Sequence, residues 1–153
     1  MRKSLTIALA IALGASGCGS GARTRTSTKQ SKADESAARF AVRHEVELAQ
    51  RQFAAAWRSL HPSQKRVISV ARLASCFPRD AYRGHVTFRA RTVTNVRWTV
   101  PGSGNASAAK AVKLTATSAD GSVTFTHHVV RVDGRWTWAL SRESFEKVRR
   151  RRC

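Results

Sequence analysis

The side chains best suited to acid–base or metal chemistry in this sequence are five histidines, which are His44, His61, His85, His127 and His128. They show no H-x3-H spacing, and the chain has no C-x2-C pair, so the sequence predicts no metal site and no cofactor. A G-x-S-x-G nucleophile motif and a glycine-rich phosphate loop are absent as well. These motifs therefore assign no catalytic residue.

The first eighteen residues, MRKSLTIALAIALGASGC, have the composition of an export signal. Arg2 and Lys3 precede an apolar run from Leu5 to Ala15, and small residues then lead to Cys18. Small residues directly before a cysteine resemble the lipobox of bacterial lipoproteins. The resemblance implies a signal peptide over residues 1–17, diacylglycerol on the Cys18 sulfur, and anchoring to the bacterial cell membrane outside the cytoplasm. An ordinary cleaved secretion signal is the alternative.

Two cysteines, Cys76 and Cys153, remain as thiols once Cys18 is lipidated. Cysteines outside the cytoplasm usually pair, so we expect a disulfide between them. Its loop would enclose 76 intervening residues and would contribute about 4 kcal/mol through loop entropy. Two free thiols, with Cys76 acting as a small buried apolar residue, are the alternative.

Basic residues dominate the charge of the 153-residue chain, with 28 Lys and Arg against 9 Asp and Glu and a net charge of +19. Residues 18–33 read as the lipidated cysteine and a flexible, basic, Gly/Ser/Thr-rich tether, and residues 34–153 as a single domain. Anionic lipid or a cell-wall polymer is the natural partner of such a charge on an exported protein. Export and the lack of an exposed aromatic stacking platform argue against nucleic acid as a partner. The alternative is a merely solvated basic surface.

The strongest local pattern is a helix from Asp34 to Leu60, with Asp34 and Glu35 in its first turn. Its apolar stripe consists of residues spaced by three and four, which are Val42, Val46, Ala49, Phe53, Ala56, Trp57 and Leu60. Pro62 ends this helix and can open a second short one. Ser69 and Ser141 are the predicted N-caps of two further short helices.

The period of the apolar residues changes to two after Pro78, which predicts strands. The first strand puts Phe88 and Trp98 on its inner face. Its outer face carries Arg89, Arg91 and Arg97, with Lys113 nearby on the next strand. The length of the strand predicts a bulge or bend near Thr92–Asn95. Asp133-Gly134 is a two-residue hairpin turn that would pair Val129 with Trp138. In that register the core-side residues are Phe125, His127, Val129, Trp136, Trp138 and Leu140.

Helices followed by an antiparallel meander predict an α+β fold, with a long N-terminal helix and short helices packed on a curved sheet of about four strands. This layout, with the closing segment Val130 to Trp138 (VRVDGRWTW), resembles the nuclear-transport-factor-2-like superfamily, which includes ketosteroid-isomerase-like and SnoaL-like domains. The resemblance covers about residues 36–145. It implies a sheet wrapped around the long helix with a conical pocket between them. A cystatin-like arrangement is the alternative.

We expect that pocket between the helix stripe and the sheet, and its predicted lining residues are Phe53, Trp57, Phe88, Trp98, Phe125, His127 and Trp138. In the enzymes of the resembled superfamily a pocket carboxylate or histidine acts as general base. Here the inward strand positions carry no Asp or Glu, so His127 is interpreted as a core or pocket-lining residue. The sequence favours a non-catalytic, membrane-anchored binding module of unknown ligand. A polyanion- or membrane-surface adhesion domain, or an isomerase- or dehydratase-like enzyme, are the alternatives.

Overall fold

The computed structural model describes residues 32–77 and 84–153. Its elements in chain order are α1 (Lys32–Ala49), α2 (Phe53–Arg58), α3 (Pro62–Lys65), α4 (Val70–Cys76), β1 (Thr87–Thr99), β2 (Ala106–Ser118), β3 (Gly121–Val132), β4 (Arg135–Trp138) and α5 (Arg142–Arg149). The strands form one curved antiparallel meander in the order β1-β2-β3-β4. The predicted α+β fold class is confirmed. The predicted signal peptide, Cys18 and the tether up to residue 31 lie outside the described residues.

The face that α1 buries differs from the predicted stripe. Ala37, Ala41, His44 and Leu48 recur at spacings of four, three and four and are all buried. The predicted core positions in this helix, Val42, Val46 and Ala49, are only half-buried. The prediction was wrong because it took an apolar stripe as the buried face, whereas the true face includes a histidine.

The predicted single helix as far as Leu60 is also wrong, because α1 and α2 are separate helices. Arg51 adopts a left-handed conformation with φ of 58°. Its N–H donates to the Leu48 carbonyl (3.0 Å), and the Gln52 N–H donates to the Glu47 carbonyl (2.7 Å). This pair of bonds is the Schellman motif, which usually places glycine at the left-handed position. The helix therefore ends at an arginine, without the glycine that usually marks this position in a sequence.

The caps and the last hairpin agree with the sequence. Ser69 and Ser141 each accept a hydrogen bond from the backbone N–H three residues later, at 3.2 Å in both cases. Asp133 and Gly134 have φ of 49° and 76°, as a type I′ turn requires. The hairpin pairs Val129 with Trp138, so its predicted register is confirmed.

The long first strand changes face in its middle, because the register with β2 shifts between Ala90 and Thr92. The irregularity lies just before the predicted interval of Thr92–Asn95. One extra residue in a strand sends all later side chains to the opposite face. We call the face that carries Leu114 and packs against α1 the inner face, and the other the outer face.

The shift overturns two predicted placements in β1. Trp98 lies on the outer face, where it stacks on His128 with ring centroids 4.8 Å apart. The predicted single outer array of arginines is likewise split, since Arg97 pairs with Ala108 and shares the inner-face row. The outer cluster around Trp98 has a buried centre formed by Val100, Ala109 and Val130.

A disulfide joins Cys76 at the end of α4 to Cys153, with the two Cα atoms 4.9 Å apart. This is the pairing that the cysteine count favoured. The bond ties the last residue of the chain to the helical layer, and α5 packs against α4 beside it. The main core lies between these helices, α1, α2 and the inner face of the sheet.

Gln64 holds three segments together from a fully buried position. Its amide nitrogen donates to the carbonyls of Pro101 (3.1 Å) and Leu140 (3.3 Å), and its amide oxygen accepts from the Leu140 N–H (2.9 Å). The substitution Gln64→Leu is expected to lower the free energy of unfolding by about 2–3 kcal/mol, because buried backbone groups lose their partners. Chemical denaturation measures this loss. The exposed Gln50→Leu should change stability by less than about 0.5 kcal/mol, and an equal loss in both variants would contradict the assignment.

Candidate functional site

α1 and β3 bring one glutamate and two histidines together inside the domain. His44 and Glu45 come from the buried face of α1, and His127 comes from the inner face of β3. The Nδ1 atom of His127 lies 2.8 Å from Oε1 of Glu45, and their side chains are 10% and 6% exposed. Each of the three residues offers one atom that could bind a metal ion, and these three atoms lie within 4.8 Å of one another. We call these three residues the histidine–glutamate cluster.

His44 is packed among rings. Its imidazole centroid is 4.1 Å from the Trp138 ring and 5.1 Å from the His127 ring, and it stacks on Phe40 at 6.4 Å. Among the described residues neither ring nitrogen of His44 has a hydrogen-bond partner, and neither has Nε2 of His127. Each buried polar group left unpaired costs about 1–3 kcal/mol. A closely packed core thus contains three nitrogens with unused bonding capacity.

The electrostatics of the cluster favour a neutral His44. Burial lowers the pKa of His44 well below the usual 6.5, and the charges of His127 and Arg43 lower the pKa further. A neutral imidazole carries one N–H and one lone pair. The cluster therefore presents lone pairs beside a carboxylate.

Sequence reasoning found one member of this cluster, His127, and missed the other two. The acid–base pair is incomplete when only the inward strand positions are considered, whereas Glu45 comes from the helix. The available signal was the spacing of Ala37, Ala41 and Leu48, since that spacing places position 44 on the same helix face. A carboxylate–imidazole contact suits general base chemistry or metal binding.

The seven predicted pocket residues do not share one surface. Phe53, Phe88 and Trp138 are buried, and Trp57 and Phe125 pack against the main core. The indole N–H groups of Trp57 and Trp138 donate to backbone carbonyls, at 2.7 Å in each case. Trp98 lies on the other side of the sheet from His127. A ligand pocket formed by this set stays a prediction.

A separate groove of about 1020 Å³ lies between α1, the α2–α3 segment and the β3–β4 turn. Its apolar lining comes from residues of all three walls, which are Phe40, Ala55, Leu60, Pro62, Val132 and Trp136. Five cations also line it, which are Arg39, Arg43, Arg58, Lys65 and Arg135, against two carboxylates, which are Glu47 and Asp133. We call this space the basic groove. The histidine–glutamate cluster does not line it.

The cations of the basic groove differ in their partners. Arg39 pairs with Glu35 at 3.0 Å, and Arg43 pairs with Glu47 at 3.7 Å. Lys65 lies 5.3 Å over the Trp57 ring, and partial burial lowers the pKa of Lys65. Arg58 and Arg135, on opposite walls, form no ion pair with any described carboxylate. Their charge is available to a ligand.

No protein-family model, curated protein or solved structure matches the chain. Within residues 32–77 and 84–153, no helix combines the length and the apolar character needed to cross a membrane.

Proposed function

We propose that this chain is a lipid-anchored, extracytoplasmic binding module that holds an anionic ligand with an apolar part in the basic groove and catalyses no reaction on it. The export-type N-terminus and the small residues before Cys18 support the location. The unpaired charges of Arg58 and Arg135, on opposite walls of one groove, are the observation that supports the binding role.

The lining of the groove defines the class of ligand. Apolar rings and aliphatic side chains provide a surface for an aromatic or aliphatic group, and the surplus of cations attracts a carboxylate, sulfonate or phosphate. Three of the groove's five cations are held at fixed positions by glutamates or by an aromatic ring. Such fixed cations attract an anion without having to be ordered on binding.

Naphthalene-1-sulfonate tests this groove, with the uncharged 1-naphthol as its matched ligand. The protein is residues 18–153 with Cys18→Ser, which retains every described residue. We expect the sulfonate to bind more tightly than the naphthol in isothermal titration calorimetry. The double variant Arg58→Gln/Arg135→Gln should weaken the sulfonate about tenfold, since each exposed ion pair contributes up to about 1 kcal/mol, and should leave the naphthol unchanged.

The matched control carries the same loss of charge on the outer face. Arg89 and Lys113 are exposed there, so Arg89→Gln/Lys113→Gln should leave the sulfonate affinity within about twofold at 0.15 M salt, where distant charges are screened. Equal weakening by both double variants would contradict binding in the groove. It would instead favour a basic surface that adheres to polyanions through its overall charge.

Labelled palmitate tests the anchor. In a bacterial host the full chain should incorporate the label and sediment with membranes, and Cys18→Ser should abolish both. The variant Cys153→Ser serves as the control for labelling of another cysteine and should retain the label. Label that persists after Cys18→Ser would refute the anchoring proposal while leaving the groove experiment intact.

A further inference from the structure

The histidine–glutamate cluster has the donor set of a divalent transition-metal site. Two imidazole nitrogens and one carboxylate oxygen are the ligands that zinc takes in sites completed by a water. The cluster is nearly closed to solvent, since His44 and Glu45 are both buried and the side chain of His127 is only 10% exposed. Hard cations such as magnesium prefer all-oxygen surroundings, so imidazoles favour zinc and its chemical relatives.

The unused nitrogens point to a ligand at this position. Among the described residues both nitrogens of His44 and Nε2 of His127 are buried without a hydrogen-bond partner. Buried polar groups in folded proteins are nearly always satisfied, by protein, by water or by an ion. A carboxylate beside two imidazoles attracts a cation and repels an anion, so the charge of the cluster selects a cation.

The pairing of Glu45 with His127 adds a second argument. Oε1 of Glu45 lies 2.8 Å from Nδ1 of His127, and a metal ion can take the place of the proton that these two atoms share, so that both atoms bind the ion directly. Binding of the metal ion then releases that proton. The Glu45–His127 pair therefore offers two neighbouring ligand atoms, and the unpartnered nitrogens of His44 offer the third.

The distances are compatible with metal binding after a small adjustment. Bonds of 2.0–2.1 Å in a tetrahedral site place ligand atoms about 3.3 Å apart. The donor atoms of the cluster lie within 4.8 Å of one another, so the widest pair has to close by about 1.5 Å. We expect rotation of the His44 and Glu45 side chains to supply this closure.

We propose that His44, Glu45 and His127 bind one divalent transition-metal ion of the zinc class and that the ion fastens α1 to β3. The spacing of the three residues hid the site from motif searches, because two ligands are adjacent on a helix and the third lies more than eighty residues later. Burial of the site suits a role in stability. A ligand that binds the folded chain and not the unfolded one raises the melting temperature.

The experiment uses the full chain, purified without an affinity tag in a mild detergent and stripped with a chelator. Zinc chloride is titrated in competition with a chromophoric chelator, and cobalt chloride is titrated by visible absorption. We expect one ion per chain, ligand-field bands of four- or five-coordinate cobalt, and a melting temperature that rises by roughly 5–10 °C at free zinc about 100 times Kd. The chelator should reverse the rise.

The variant His44→Phe removes both ring nitrogens and retains a ring against Trp138 and Phe40. It should weaken zinc about 100-fold or more and remove the thermal shift. The matched control is His128→Phe, the same substitution at the neighbouring strand position on the outer face, which should retain the wild-type zinc affinity. Glu45→Gln keeps the side-chain size and should also weaken zinc at least tenfold, so it decides the question if His44→Phe does not fold.

Three results would overturn the proposal. The first is a wild-type chain that binds neither zinc nor cobalt at micromolar concentration, in which case a buried water satisfies the nitrogens. The second is zinc affinity unchanged in His44→Phe and Glu45→Gln. The third is affinity lost in His128→Phe, which would place the ion on the outer face.

Discussion

Serine in place of Cys153 is expected to lower the free energy of unfolding by about 4 kcal/mol. The disulfide joins residues 77 apart in sequence, and a loop of that length loses about 4 kcal/mol of denatured-state entropy when it is cross-linked. Cys153 is the last residue of the chain and is exposed, so its replacement removes little packing. Urea denaturation of wild type and variant measures the difference.

The partner variants separate the cross-link from the side chains. Cys76→Ser and the double variant Cys76→Ser/Cys153→Ser should lose about as much as Cys153→Ser, since each removes the same bond. Wild type treated with reductant should fall to the same stability. A loss below about 1 kcal/mol in Cys153→Ser would show that the bond does not constrain the unfolded chain.

The parts of the fold that could be predicted depend on local chemistry. Asp133 and Gly134 accept the positive φ angles of a tight hairpin, and that turn alone sets the pairing of Val129 with Trp138. Serine caps act within three residues. Such features are encoded in short segments, so they can be predicted from the sequence.

The features that were missed depend on contacts between distant segments. Arg51 adopts the left-handed conformation that favours glycine, and no neighbouring residue in the sequence predicts the end of α1. The extra residue in β1 lies between Ala90 and Thr92, and its effect on Trp98 appears only when the register with β2 is known. A shift of one residue in the register moves every later side chain to the opposite face. The predicted pocket residue Trp98 was therefore assigned to the wrong face of the sheet.

The candidate sites also combine residues that local patterns place and residues that only contacts between distant segments place. His127 could be placed because its hairpin register was local, whereas Glu45 and His44 required the rotation of α1 relative to the sheet. That rotation is set by what packs against the helix, including Trp138 at 4.1 Å from His44. The basic groove is assembled from three segments, and the sequence showed only that the chain has a surplus of cations.

Alanine in place of Trp138 is expected to lower the free energy of unfolding by about 3–5 kcal/mol, the range for a large buried aromatic side chain. Trp138 is 3% exposed. Its indole N–H donates to the Ala56 carbonyl at 2.7 Å, so its loss leaves a cavity beside His44 and removes one buried hydrogen bond to that carbonyl, which Ser59 also contacts. Trp138→Phe keeps most of the ring and should lose about 1–2 kcal/mol, mainly from the hydrogen bond.

Trp98→Ala is the control for the loss of an indole in the same sheet. Trp98 is half-buried on the outer face, so its removal exposes little new apolar surface and should lose about 1–2 kcal/mol. Chemical denaturation of the three variants should show the largest loss of stability in Trp138→Ala and smaller, similar losses in Trp138→Phe and Trp98→Ala. If Trp98→Ala lowered the free energy of unfolding as much as Trp138→Ala, the outer cluster, and not the layer between α1 and the inner face, would contribute most of the stability. The reason is that only a buried and fully packed ring leaves a cavity that the domain cannot close.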